Sequence, residues 1–332
     1  MAVTPMSTAA ASTTEPEIFD PDGDLIVTCT GVPFLVSSKA ISLASSVLRT
    51  TLMEQKSETR LIKQEHPQVP NVILAHDCLE SFRAFCNVVH HKAEGLPQSP
   101  DADYLYRLAL FVGDYCCRAA MKDRGNIWLM QPLIGRSEED LWKLLQFAYV
   151  LRLRKNCFDI SRRLVATRAS RFRTWIFALE HNSLMPEAVH DHLDEKREEL
   201  GKSLQRAIMN TVVSFGQYNC KQARDFLFEY LRSLHEVGIL PGTAQFAEKN
   251  YLQIYSATKS IARAVYAHHE GCACSNLAGF KQRGELMNQL DKCYEKMGLC
   301  LECVEGVHYE GQQNKFFVTA NISAKPESMD RI

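Results

Sequence analysis

The sequence predicts an α+β N-terminal unit, a small mixed sheet flanked by helices, followed by a mostly α-helical C-terminal region. Three observations carry this. Apolar runs at 25–27 and 32–36 flank Gly31 and read as a hairpin, a third run follows Pro70 at 72–74, and beyond Met130 apolar residues recur almost only at helical spacing.

The elements follow in order. Residues 1–17 are rich in Ala, Ser, Thr and Pro, with too little apolar surface to offset the entropy of ordering, and read as a disordered tail. Asp20-Pro-Asp-Gly-Asp24 is a turn signal that feeds the first strand, Leu25-Ile26-Val27. Val32, Phe34 and Val36 alternate as a second strand. Ser37 and Ser38 cap a short helix through Ala44, and Ser45 or Ser46 caps another that carries Val47, Leu48 and Leu52. Val72-Ile73-Leu74 is the third strand. Asp77 is the expected N-cap of a helix with Phe82, Phe85, Cys86 and Val89 on one face, ended by the loop 94–100. Leu105, Leu108, Val112 and Cys116 mark a further helix, and another runs from Arg118 to Met130.

In the second region, Leu141, Leu144, Leu145 and Ala148 mark one helix, and Met185 to Phe215 reads as a single long one. Periodic segments follow near 222–235, 245–267 and 281–299. With 332 residues the chain is long enough for two domains. The division expected is 1–17 as tail, 18–130 as the α+β unit, 131–310 as all-helical and 311–332 as a flexible tail.

The order of elements in 18–130 and several of its residues resemble a BTB/POZ domain, of the kind abundant in filamentous fungi. Gly23-Asp-Leu-Ile-Val27 is similar to the family's opening strand, and Phe34-Leu-Val-Ser-Ser-Lys-Ala-Ile-Ser-Leu-Ala-Ser45 followed by Ser46-Val-Leu48 fits its F-x-V-H-[KR]-x-x-L-x-x-x-S-P-x-F pattern without a gap. The resemblance implies a protein-interaction module that self-associates or recruits partners. It makes Asp24 a partner-binding candidate, although Ser37 and Ser38 stand where many members carry His and a basic residue. Lys56-Ser57-Glu58 falls where members that recruit a cullin ubiquitin ligase carry an apolar-x-Glu motif, so Glu58 is the second candidate, without its apolar anchor.

Net charge is −1 with 23% charged residues, which gives nucleic acid no global attraction. No apolar run approaches the roughly 20 residues that span a bilayer, and the 12 cysteines lie mostly in apolar stretches. A reducing intracellular compartment, cytoplasmic or nuclear, is expected, with no membrane partner.

The motifs that would signal chemistry are few. Asp20 to Asp24 lacks the Gly and Glu spacing of a calcium loop and reads as an acidic turn. No phosphate loop, dinucleotide fingerprint, nucleophile elbow or H-E-x-x-H is present, so no catalytic residue, enzyme activity or cofactor is expected. His90-His91 reads as a helix-end cation or a general base. His268, His269, Cys272, Cys274, Cys293, Cys300 and Cys303 place seven metal-ligand types within 36 residues. A structural zinc on Cys272, Cys274, Cys300 and Cys303 is one reading, and small buried hydrophobic thiols the other. The segment containing Arg152, Arg154, Lys155, Arg162, Arg163, Arg168, Arg171 and Arg173 reads as a solvated helix surface or a contact for an acidic protein, with a phosphate or nucleic-acid contact as its alternative. Three functions are therefore carried forward: a non-catalytic interaction protein, a cullin-ligase substrate adaptor, and a zinc-containing nucleic-acid-binding regulator.

Overall fold

A computed structural model describes residues 15–61, 70–74, 79–261, 271–274 and 282–305, without the side chains of 55–61 and 282. The expectations at Asp77, at His268 and His269, and over 1–14 and 311–332 fall outside these residues. The chain is an α+β protein, with a four-stranded sheet near the N-terminus and helices elsewhere.

Strands β1 (Glu17–Ile18), β2 (Leu25–Cys29), β3 (Val32–Val36) and β4 (Asn71–Leu74) lie in the order β1-β3-β2-β4. β2 and β3 form the predicted antiparallel hairpin, with Leu25 opposite Val36 and Cys29 opposite Val32. Thr30 and Gly31 turn the corner with φ of 47° and 82°, the doubly left-handed geometry that matches strand twist. β4 lies parallel to β2, and β1 parallel to β3. The inner face buries Leu25, Val27, Cys29, Phe34, Val36, Val72 and Leu74.

The crossover from β3 to β4 contains α1 (Ser38–Ala44) and α2 (Ser46–Leu61). Ser37 caps α1 through its hydroxyl, as its type predicts. Ser45 is buried at the α1–α2 corner, where its Oγ accepts from the Leu48 N–H at 3.1 Å and donates to the Tyr115 carbonyl at 2.5 Å. α3 (Leu79–Val89), α4 (Ala102–Asp114) and α5 (Arg118–Trp128) complete the unit.

Two expectations are corrected here. Glu17, assigned to the tail, begins β1 and is held by partners far along the chain: Arg83 on α3 donates to both its carboxylate oxygens, at 2.9 and 2.6 Å, and Lys92 donates to the Ile18 carbonyl at 2.9 Å. The helix expected to reach Cys116 ends at Asp114. Cys116 is exposed at φ 51°, and the N–H groups of Cys116 and Cys117 return to the carbonyls of Gly113 and Val112, a helix stop made without glycine.

The remaining helices are α6 (Glu138–Val150), α7 (Arg154–Thr167), α8 (Ile176–Glu180), α9 (Ala188–Gly216), α10 (Lys221–Glu236), α11 (Ala244–Ala247), α12 (Tyr251–Ser260), α13 (Gln282–Tyr294) and α14 (Leu301–Val304). The segments expected as helices over 245–267 and 281–299 are thus interrupted. Asn250 stops the first by starting α12 with a reciprocal capping box to Gln253. α6 packs on α4 and α7, and α9 packs on α10 and α13. Buried apolar side chains form one core with members from Phe19 to Val304. Among the described residues no helix is long and apolar enough to cross a membrane.

Candidate functional site

Strand alternation buries one sheet face and sends the other outward. Register fixes what that outer face carries: Ile18, Leu35, Ile26 and Asn71 stand side by side in one row, with Pro33, Thr28 and Ile73 in the next. Ile18 is 56% and Ile73 75% exposed, and Ile26, Leu35 and Pro33 are half-buried. A sheet face open to water ordinarily carries polar residues, whereas apart from Thr28 and Asn71, which hydrogen-bond to each other at 3.0 Å, this outer face carries apolar ones. Leu43 on α1, 80% exposed, and Met53 on α2, 64% exposed, are further exposed apolar residues of the unit. Full burial of one such side chain contributes about 1.5–3 kcal/mol. Exposed large apolar residues also occur on helices, including Ile176 and Leu179 one turn apart on α8 and Phe228 on α10.

The two partner-binding candidates differ in what they touch. Asp24 accepts from the Ser38 N–H and from the Ser38 hydroxyl, both at 2.7 Å, and so ties the strand entrance to the first turn of α1. Glu58 lies on α2, and its side chain is outside the described residues.

His90 corrects the cation reading. Its Nε2 accepts from the Ser37 N–H at 3.1 Å while Nδ1 lies 3.0 Å from the Cys86 carbonyl. Accepting at one nitrogen and donating at the other requires a neutral ring protonated on Nδ1. His90 therefore joins the end of α3 to the start of α1, and His91 is the left-handed residue, at φ 56°, that ends α3.

The cysteines regroup. Cys272 and Cys274 meet Cys220, and the three Sγ atoms lie within 4.8 Å of one another, with Cys220 and Cys274 3.4 Å apart. Cys300 and Cys303 are not in this group. Cys300 instead donates to Glu302 at 3.1 Å, and desolvation together with that carboxylate pushes its thiol up to about 11. Desolvation raises the Glu302 carboxyl, but hydrogen bonds from Cys300, its own backbone and Arg154 outweigh it and hold the group below its ordinary value. The sequence reading missed Cys220 because it lies about fifty residues upstream. The signal available was its place immediately before the periodic segment at 222–235, where a capping residue is expected.

The basic segment is largely neutralised by the chain itself. Six of its eight cations pair with carboxylates: Arg152 with Glu305, Arg154 with Glu302, Arg162 with Asp159, Arg168 with Glu138, Arg171 with Glu198 and Arg173 with Asp191. Arg168 departs furthest from a solvated cation, with a side chain 10% exposed and its guanidinium 4.3 Å from the Trp175 ring centroid. Arg152, Arg154, Arg171 and Arg173 keep side chains more than half exposed, in line with the solvated-surface reading. A surface hollow of about 210 Å³ lies between α10 and α11, lined by His235, Gly238, Leu240, Thr243, Ala244 and Gln245. Small-molecule sites usually enclose about 300–1,000 Å³.

Compared with models of known protein families, with curated proteins and with solved structures, the chain matches none.

Proposed function

We propose that this protein acts without catalysis, by binding another polypeptide through its N-terminal α+β unit, which resembles a BTB/POZ domain. The observation that carries the reading is the second apolar face of the sheet, where Ile18 and Ile73 stand exposed beside Leu35 and Ile26. The succession of hairpin, paired short helices, parallel strand and three helices supports it too, since that is the order on which the resemblance rests. Interface cores gain affinity by removing such side chains from water, and edge strands offer further backbone pairing.

The test uses the full chain. The double variant Ile18→Thr, Ile73→Thr keeps the β-branched character of both strands and lies at exposed positions, where substitutions usually shift stability by less than about 0.5 kcal/mol. Light scattering of the wild type at tens of micromolar, together with affinity purification from its native cells, is expected to show self-association or stoichiometric recovery of a partner protein. The double variant should lose both while retaining its circular dichroism. A wild type that is strictly monomeric and recovers nothing, or a variant that behaves as the wild type does, contradicts the proposal. The adaptor reading names a special partner: recovery of a cullin with the wild type, abolished by Glu58→Lys, is its mark.

A further inference from the structure

We infer that Cys220, Cys272 and Cys274 form a zinc site that fastens the corner between α9 and α10 to the 271–274 segment. Three features of the cluster point to a soft metal ion. The first is distance. Zinc–thiolate bonds of about 2.3 Å in a tetrahedron place sulfur atoms about 3.8 Å apart, and these three lie within 4.8 Å of one another, with Cys220 and Cys274 at 3.4 Å. Shifts of up to about 1 Å, within the reach of side-chain rotation, complete the geometry.

The second is position. Cys220 is the N-cap of the 16-residue helix α10 and accepts from the Ala223 N–H at 3.4 Å. Ser, Thr, Asp or Asn ordinarily occupies that place, because an oxygen meets the free N–H groups. Sulfur is the poorer cap but the better metal ligand. The positive end of the helix favours the thiolate, which is the form a metal binds. The third is enclosure. Cys274 is fully buried and Cys220 and Cys272 are half-buried, so the metal would be shielded while one side stays reachable from solvent.

Binding is an exchange without redox change: each thiol releases its proton to solvent as its sulfur bonds to the metal. The three sulfurs come from a corner and a segment about fifty residues apart, so the ion closes a long loop and its binding energy adds to folding. The site is distinct from the apolar sheet face and does not depend on the interaction reading.

Metal analysis of the reduced full chain, purified from zinc-supplemented cells, tests the inference. One zinc per chain is expected, with X-ray absorption showing at least three sulfurs at about 2.3 Å and thereby also reading the fourth donor. Cys220→Ser, Cys272→Ser and Cys274→Ser should each fall from one zinc to none, while Cys300→Ser and Cys303→Ser keep it. Chelation should lower the melting temperature of the wild type, with recovery on adding zinc but not magnesium. The absorption spectrum of the wild type decides the matter even if a serine variant does not fold. No zinc bound by the reduced wild type in excess metal, a first shell of nitrogen and oxygen only, loss of zinc in Cys300→Ser, or a Cys220–Cys274 disulfide in the protein as isolated would overturn it.

Discussion

The sheet-bearing N-terminal unit and the helical region are held together by different means. In the first, the polar ties join strand ends to helix ends inside the unit: Asp24 to Ser38, 14 residues apart, Ser37 to His90, 53 apart, and Ser45 to Tyr115, 70 apart. In the second, the ties reach further along the sequence. The buried Ser161 hydroxyl accepts from the Leu299 N–H at 2.8 Å, the Asn250 amide reaches the Thr167 carbonyl at 2.5 Å, and the basic segment pairs with carboxylates as distant as Glu305. The first arrangement carries apolar residues on both faces of a thin sheet, and the outer one, with Ile18 and Ile73 exposed, is the face the proposed partner would cover. The second pairs six of the cations in its basic segment with its own carboxylates, with Arg152, Arg154, Arg171 and Arg173 more than half exposed.

The comparison can be strained first at its centre. Phe34 is fully buried, packs edge-on to Phe82 at 5.1 Å and contacts Phe19, while Trp142 is fully buried against Trp175 and His190. Phe34→Ala and Trp142→Ala should each cost about 3–5 kcal/mol in denaturant unfolding. Because one core spans both regions, either change should lower a single cooperative transition; two separated transitions would break that picture.

Alkaline pH probes both regions together. Desolvation pushes the thiols of Cys117 and Cys157 from 9.0 up to about 12, and the hydroxyls of Tyr104 and Tyr230 from 10.0 up to about 12. Folding holds these protons more tightly than the unfolded chain does. The stabilisation is complete below pH 9 and is lost as pH rises toward 12. The melting temperature should therefore fall steadily over that interval, and a flat profile would contradict the burial of these groups.

Smaller effects separate the regions. A methyl group added at Gly298 would lie 2.4 Å from the Phe158 carbonyl oxygen and from its ring, so Gly298→Ala should cost about 1–3 kcal/mol. His90→Leu strands the Ser37 N–H and should cost about 1–2 kcal/mol, with partial recovery in His90→Gln. At the low end, His91, Cys116 and Arg152 adopt left-handed φ of 56°, 51° and 51°, where glycine is unstrained. Replacing each with Gly should raise stability by about 0.5–1 kcal/mol, read from the same denaturant midpoints.

These particulars explain how much was legible. The hairpin, the Ser37 cap, the corner at Ser45 and the long helix α9 depend on local periodicity and capping chemistry, and the sequence displays both. β1 was not visible, because two residues carry no period and their partners, Arg83 and Lys92, lie far along the chain. The stop at Cys116 was hidden because no glycine marks it. The outer sheet face was legible only in part: Val72-Ile73-Leu74 shows as an unbroken apolar run, but which residue faces outward depends on register. The cysteine group required the fold, since nothing local joins residue 220 to residues 272 and 274.

Hydroxyl-radical footprinting of the full chain, alone and in the assembly recovered from cells, tests the central claim most directly by reading side-chain access. The outer-face proposal predicts that Ile18 and Ile73 lose reactivity in the assembly while Ile176 and Phe228, exposed on α8 and α10, keep theirs. Unchanged reactivity at Ile18 and Ile73 in a stoichiometric assembly would contradict it.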